Sequence, residues 1–143
     1  MNKKLRYFFA SLLLCLCFPS FSQNENKKWY FGLYAGLDFM TSPPTALNNG
    51  TLVSSWGSAS VADANGNLLF YTTGDTIFNQ NHVVMANGGI GNGNVSSLES
   101  ALIIKLPGST SQYYVFALNA PTANAFSLNY SIVDMSLAAG FGS

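Results

Sequence analysis

The sequence predicts an all-β chain, and three observations carry that prediction. Short runs rich in β-branched and aromatic residues alternate with clusters of Gly, Asn, Ser and Pro. No long stretch places apolar residues at i, i+3, i+4 and i+7 between helix caps. Asn65-Gly66 separates two of the runs, and Asn-Gly tolerates the positive φ at both central positions of a tight hairpin turn.

Before the first run comes a leader. Lys3, Lys4 and Arg6 make a positive start, 7–18 is uncharged and apolar, and Ser20 and Ser22 supply small residues. That is the order of a secretory signal, so residues 1–22 read as a signal peptide cut between Ser22 and Gln23. The apolar stretch of 12 residues is short of the ~20 that cross a bilayer, so no retained membrane span is expected. Leu14 and Leu16 precede Cys15 and Cys17 where a lipid-attachment motif wants a small residue.

The leader changes what the composition means. The 143 residues are 48% apolar, 14% aromatic and 8% charged, with no formal net charge. Beyond residue 22 the cations are Lys27, Lys28 and Lys105, against Glu25, Asp38, Asp63, Asp75, Glu99 and Asp134, a net charge of −3. Such a chain has the apolar surface to fold and no basic patch for nucleic acid. It also keeps no cysteine, so its core and backbone ladders must hold it without disulfides.

The expected strands follow in order. Trp29-Tyr30-Phe31 and Leu37-Asp38-Phe39 come first. Runs 58–62 and 68–72 flank Asp63-Ala64-Asn65-Gly66-Asn67, and 76–78 follows. Runs 101–106 and 113–118 flank a second loop, and 130–135 closes the series. The two hairpins read as copies of one unit. Ser58-Ala59 matches Ser100-Ala101 at an offset of 42, and 69–72 matches 114–117 at an offset of 45. Thr76-Ile77-Phe78-Asn79 then matches Ser131-Ile132-Val133-Asp134. A period of ~40 to 50 residues with several short strands is a propeller-blade pattern. The expected architecture is a partial β-propeller of about two and a half antiparallel blades: a half-blade over 28–40, a blade over 52–88 and a blade over 98–140. A small β-sandwich is the alternative. With too few blades to close a ring, the chain is expected to be the N-terminal part of a longer protein.

Several motifs together carry a resemblance. Trp29-Tyr30-Phe31-Gly32, Ala35-Gly36-Leu37-Asp38-Phe39 and the 63–72 segment occur in this order. Asn81-His82-x-Val84-Met85-x-Asn87-Gly88 and Tyr130-Ser131-Ile132-Val133-Asp134-Met135 follow. The set resembles the N-terminal region of large surface proteins of gliding, type IX-secreting bacteria. In those proteins a propeller-like region precedes adhesion-type repeats and a C-terminal sorting domain. The resemblance implies an extracellular or outer-surface location, export across the inner membrane, and a binding or adhesive role.

Catalytic chemistry finds little footing. The exported chain has no cysteine nucleophile, and Gly57-Ser58-Ala59-Ser60 lacks the second glycine of a nucleophile elbow. His82, the one histidine, lies in the polar run Asn79-Gln80-Asn81-His82 and reads as a solvated turn residue. Asp38 and Asp134 occupy matching places in matching strands, as structural acids of a repeat do. Asp63-x-Asn65-x-Asn67 could open a calcium loop, but the twelfth position, which would supply a glutamate, is Gly74. No catalytic residue, cofactor or metal site is expected. Trp56, between Ser55 and Gly57, is the expected exposed ring for stacking on a sugar or protein ligand. Thr76 in Asp75-Thr76-Ile77 is the candidate O-glycosylation site, and Asn49, Asn94 and Asn129 open Asn-x-Ser/Thr sequons. The expected function is a non-catalytic, secreted or cell-surface binding or scaffolding module. Its expected partners are a protein or glycan surface ligand and the remaining blades of the same longer chain. The alternative is a non-catalytic part of an extracellular carbohydrate-active enzyme.

Overall fold

The computed structural model describes residues 24–55, 57–91, 101–119 and 127–143. The expected leader, its expected Ser22/Gln23 junction and Trp56 lie outside the described residues. The chain is all-β, with three antiparallel sheets and only two single-turn 3-10 segments among the described residues.

Each sheet is a meander in which every strand pairs with its neighbour in sequence. The first holds β1 (Lys28–Phe31), β2 (Ala35–Asp38) and β3 (Thr45–Leu47). The second holds β4 (Ala59–Ala62), β5 (Leu68–Thr72), β6 (Thr76–Asn79) and β7 (Val84–Gly89). The third holds β8 (Ala101–Lys105), β9 (Gln112–Asn119) and β10 (Ser127–Asp134). β3 and β7 are strands that no expected run contains. β3 carries the first sheet past residue 40, where the half-blade was expected to end.

The turns are closed by short polar side chains, which accept the N–H groups that a reversing backbone leaves unpaired. Asp63 Oδ1 accepts from the N–H of Asn65 and of Asn67, each at 2.8 Å, between β4 and β5. Only Gly66 takes a positive φ there, at +84°, so the hairpin forms without the two-residue positive-φ turn that Asn-Gly suggested. Asn79 Oδ1 accepts from Asn81 after β6, and Ser109 Oγ accepts from Gln112 before β9. Asp38 and Asp134 do the same for Met40 and Ser136, both at 2.9 Å. The matching structural role expected for these two acids is therefore present in detail. Each also takes a donor from the strand beside it: Lys28 pairs with Asp38, and Gln112 Nε2 donates to Asp134 Oδ2 at 2.9 Å.

These strand-ending residues fix how the sheets correspond. Leu37, Phe78 and Val133 each precede one of Asp38, Asn79 and Asp134, and they stand opposite Trp29, Tyr71 and Tyr113. Those three aromatics are 42 residues apart. The registers thus replace the offset of 45 expected between β5 and β9 with one of 42. The difference is odd, and an odd slip exchanges the two faces of a strand.

Sheet faces then pack in one sense throughout. Tyr71 and Phe78 face the first sheet, where Tyr30 and Leu52 are buried against Tyr71. The rings of Tyr30 and Tyr71 stack at 4.7 Å. On its other face the middle sheet presents Val61, Phe70, Ile77 and Met85 to Tyr113, Val115 and Val133 of the third. Phe70 and Tyr113 meet edge to face at 5.5 Å. The middle sheet is covered on both sides, and consecutive residues Phe70 and Tyr71 are both fully buried in different cores.

Replacing Phe70 with Ala removes a ring from a site that cannot collapse from either side. A loss of about 3–5 kcal/mol in urea unfolding is expected. Leu118→Ala, at a half-exposed position of β9, is expected to cost less than about 1 kcal/mol. Equal losses would contradict the assignment of Phe70 to the core.

Candidate functional site

The two faces of the third sheet differ sharply. Its inward face carries Tyr113, Val115, Ala117 and Val133, all 5% exposed or less. Its outward face is equally apolar but open. There the registers place Leu102 beside Phe116, Ile104 beside Tyr114, and Tyr114 and Phe116 beside Ile132 and Tyr130. Leu128 and Leu118 complete the same face. Leu102, Leu128, Tyr130 and Ile132 are 49–65% exposed. The ring of Tyr130 stands edge-on to Tyr114 at 5.6 Å, so the aromatics form one cluster rather than separate rings. A groove of about 630 Å³ runs between this face and Gly57-Ser58. Its described lining holds no ionisable group, so it suits contact with an apolar surface and not acid–base chemistry.

The outward face of the first sheet is its counterpart. Trp29, 50% exposed, and Phe31 project from β1, and Leu37 lies opposite Trp29. Trp29 is held from one side by Phe39 at 4.8 Å and by donation of its Nε1–H to the Asn26 carbonyl. The same strand is blunted at one point: Ser60 Oγ accepts the Tyr30 N–H, and Ser58 Oγ donates to the Tyr30 carbonyl. A strand edge satisfied in this way is a poor template for a further strand there.

His82 is not the solvated turn residue expected from its neighbours. It sits half-buried with φ +62°, within 5.8 Å of the Tyr30 and Tyr71 rings. Its Nε2 lies 2.8 Å from Asn49 Nδ2 and its Nδ1 lies 3.2 Å from the Tyr71 hydroxyl. One order of protons satisfies every contact. Tyr30 donates to Asn49 Oδ1, and Asn49 donates to Nε2. The Nδ1–H is given to Tyr71, which also accepts the Thr51 N–H and donates to Thr51 Oγ1. Thr51 Oγ1 then donates to the His82 carbonyl. This ties the 49–51 segment to the middle sheet through a neutral imidazole. Burial lowers the His82 pKa and raises that of Tyr30, the latter partly offset by the Asn49 hydrogen bond. No local pattern marks this cluster, because the hydrogen-bond partners of the imidazole lie 11 and 33 residues away.

The carboxylates are occupied by turn chemistry. Hydrogen bonds from Ser136 and Gln112 hold Asp134 well below the usual carboxylate range. Asp38 is lowered first by Lys28. Burial pulls Asp63 upward, but the bonds from Asn67 and Asn65 outweigh it and lower the pKa. Thr76 begins β6 with its hydroxyl 3.4 Å from Asp75 Oδ2, and its N–H and carbonyl are engaged by Thr73 and Thr72. The described residues contain no group of three or more metal-ligating side chains, and no helix among them is long and apolar enough to cross a membrane. Comparison with protein-family models, curated proteins and solved structures finds no match to this chain.

His82 has a pKa lowered in the folded state, so the unfolded chain binds its proton more readily. Stability is therefore expected to fall as pH drops through the ordinary histidine value of ~6.5. The urea midpoint should be lower at pH 5.5 than at 7.5, and His82→Gln should flatten that difference. A midpoint equal at both pH values contradicts the buried neutral imidazole.

Proposed function

We propose that the chain is a non-catalytic binding or scaffolding module of a secreted or cell-surface protein. On this reading its three meanders are successive blades of a partial β-propeller. The observation that carries it is the outward face of β8–β10, where an in-register apolar cluster lies open to solvent. A contiguous apolar patch open to solvent is the kind of surface that marks a contact site. The absence of titratable groups from the described groove lining favours binding over reaction.

The blade reading is supported by the sense of packing. A two-sheet sandwich leaves one face of each sheet to solvent, whereas here the middle sheet is covered on both. Trp29, Tyr71 and Tyr113 sit at the same register position, and the second and third sheets each offer that side to the sheet before it. Such head-to-tail stacking is how radially repeated sheets bury their faces. Export rests on the leader over residues 1–22. The parent class we propose is the surface proteins of gliding, type IX-secreting bacteria, whose motif order the chain resembles.

The test is dye binding by the folded chain, diluted until it sediments as a monomer. Anilinonaphthalene sulfonate is expected to brighten severalfold at native pH without denaturant, and Ile132→Lys to remove more than half of that signal. A wild-type chain that leaves the dye dark contradicts an open contact face.

A further inference from the structure

We propose that segment 49–51 is a proton-operated latch between the first and middle sheets, closed over neutral His82 and released when the imidazole takes a second proton. The proposal rests on the order of hydrogen bonds around that ring and is independent of the open face of the third sheet.

The stretch 49–54 is fastened in two different ways. Its second half is held to the first sheet by backbone. The Leu52 carbonyl accepts the Tyr34 N–H, Val53 bridges Leu33, and the Ser54 N–H is donated to the Gly32 carbonyl. Its first half reaches the middle sheet, among the described residues, only through Tyr71 and His82. Gly50 lies against the Tyr30 ring, where a Cβ would stand 2.8 Å from Cδ1, so the closed segment sits directly on that ring.

The closed arrangement has no place for a second proton. Asn49 Nδ2 donates to His82 Nε2 at 2.8 Å, while Asn49 Oδ1 accepts from the Tyr30 hydroxyl at 3.2 Å. An imidazolium carries a proton on both nitrogens, so its Nε2–H would point at the amide donor. Turning the amide presents Oδ1 to Nε2 but strips the acceptor from Tyr30, a residue only 4% exposed. A buried donor left without an acceptor is costly. The titratable groups facing the imidazole are Tyr30 from β1 and Tyr71 from β5. Segment 49–51 brings no ionisable side chain, and no carboxylate among the described residues faces the ring to hold the charge. Opening the segment hands the Nε2–H to water and leaves both ring hydroxyls free to do the same. The latch is therefore closed above the ordinary histidine value of ~6.5 and opens as pH falls below it.

The test is a pH titration of the chain as the producing cell processes it, followed by 15N NMR and amide exchange from about pH 7.5 to about pH 5. The Thr51 amide donates to the Tyr71 hydroxyl, so its exchange reads the latch. Its protection, relative to an unfolded chain at the same pH, is expected to fall at least tenfold in step with His82 protonation. The amides of β9 should lose severalfold less, which separates local opening from unfolding. Asn49→Asp supplies a carboxylate that accepts from Tyr30 and from Nε2–H together. It should raise the His82 titration midpoint by at least about one pH unit and keep Thr51 protected at pH 5. His82→Gln should leave Thr51 protection independent of pH. Melting curves at pH 7.5 check folding, and either variant carries the comparison if the other does not fold. His82 that protonates while Thr51 stays protected means that the amide has turned and the segment has stayed shut, which overturns the proposal. Loss of Thr51 protection that β9 matches, or that Asn49→Asp leaves unchanged, also overturns it.

Discussion

Everything in this molecule depends on β5 being buried on both faces. Phe70, Tyr71 and Thr72 are all fully buried, and alternation sends Phe70 and Tyr71 into separate cores. The strand also has a hydrogen-bonded partner on each edge, β4 and β6. A strand so placed cannot slip by one residue, since the slip would exchange two aromatics of different size and hydrogen-bonding need. Tyr71 has a hydroxyl to satisfy and finds Thr51 and His82, whereas Phe70 has none and meets the Tyr113 ring. The first and third sheets are thereby positioned by opposite sides of a single strand.

From that constraint follows the economy of the exposed surface. Beyond residue 22 the sequence has no cysteine, so packing of side chains such as its aromatics must hold the sheets together, and here the junctions use Tyr30, Tyr71, Phe70 and Tyr113. Aromatics recur on the outward faces of the first and third sheets, where Trp29 and Tyr130 are half or more exposed. The open faces are thus continuous in chemistry with the buried ones. Their apolar character is that of the packing unit the chain repeats. Hairpins closed by Asp63, Asn79, Ser109 and Asp134 keep the polar work at the strand ends and off the faces.

Most strands were legible because alternating runs between turn residues are a local signal: 68–72 is the full extent of β5, and the two hairpins fall where the loops indicated. β7 was hidden because Asn87-Gly88-Gly89 has turn composition, and it is a strand only because Met85 is buried and the backbone pairs with β6. β3 spans just three residues after Pro43-Pro44, too short for alternation to show. The 42-residue spacing of the aromatics was visible only after pairing fixed which residues oppose which, since Trp29, Tyr71 and Tyr113 share little with their neighbours. His82 was misread because its immediate neighbours are polar, whereas its environment is set by residues from other strands. The open face is marked by Tyr130 and Ile132, in a run that alone reads as ordinary strand, while Trp56, the ring expected for stacking, lies outside the described residues.

The central claim is that β5 holds the other sheets, and native-state amide hydrogen exchange tests it most directly. The amides of Phe70, Tyr71 and Thr72 are expected to be the slowest in the chain, opening only with global unfolding as urea is raised. If β1 or β9 retains protection while β5 exchanges through a lower-energy opening, the middle sheet is not the element on which the structure depends.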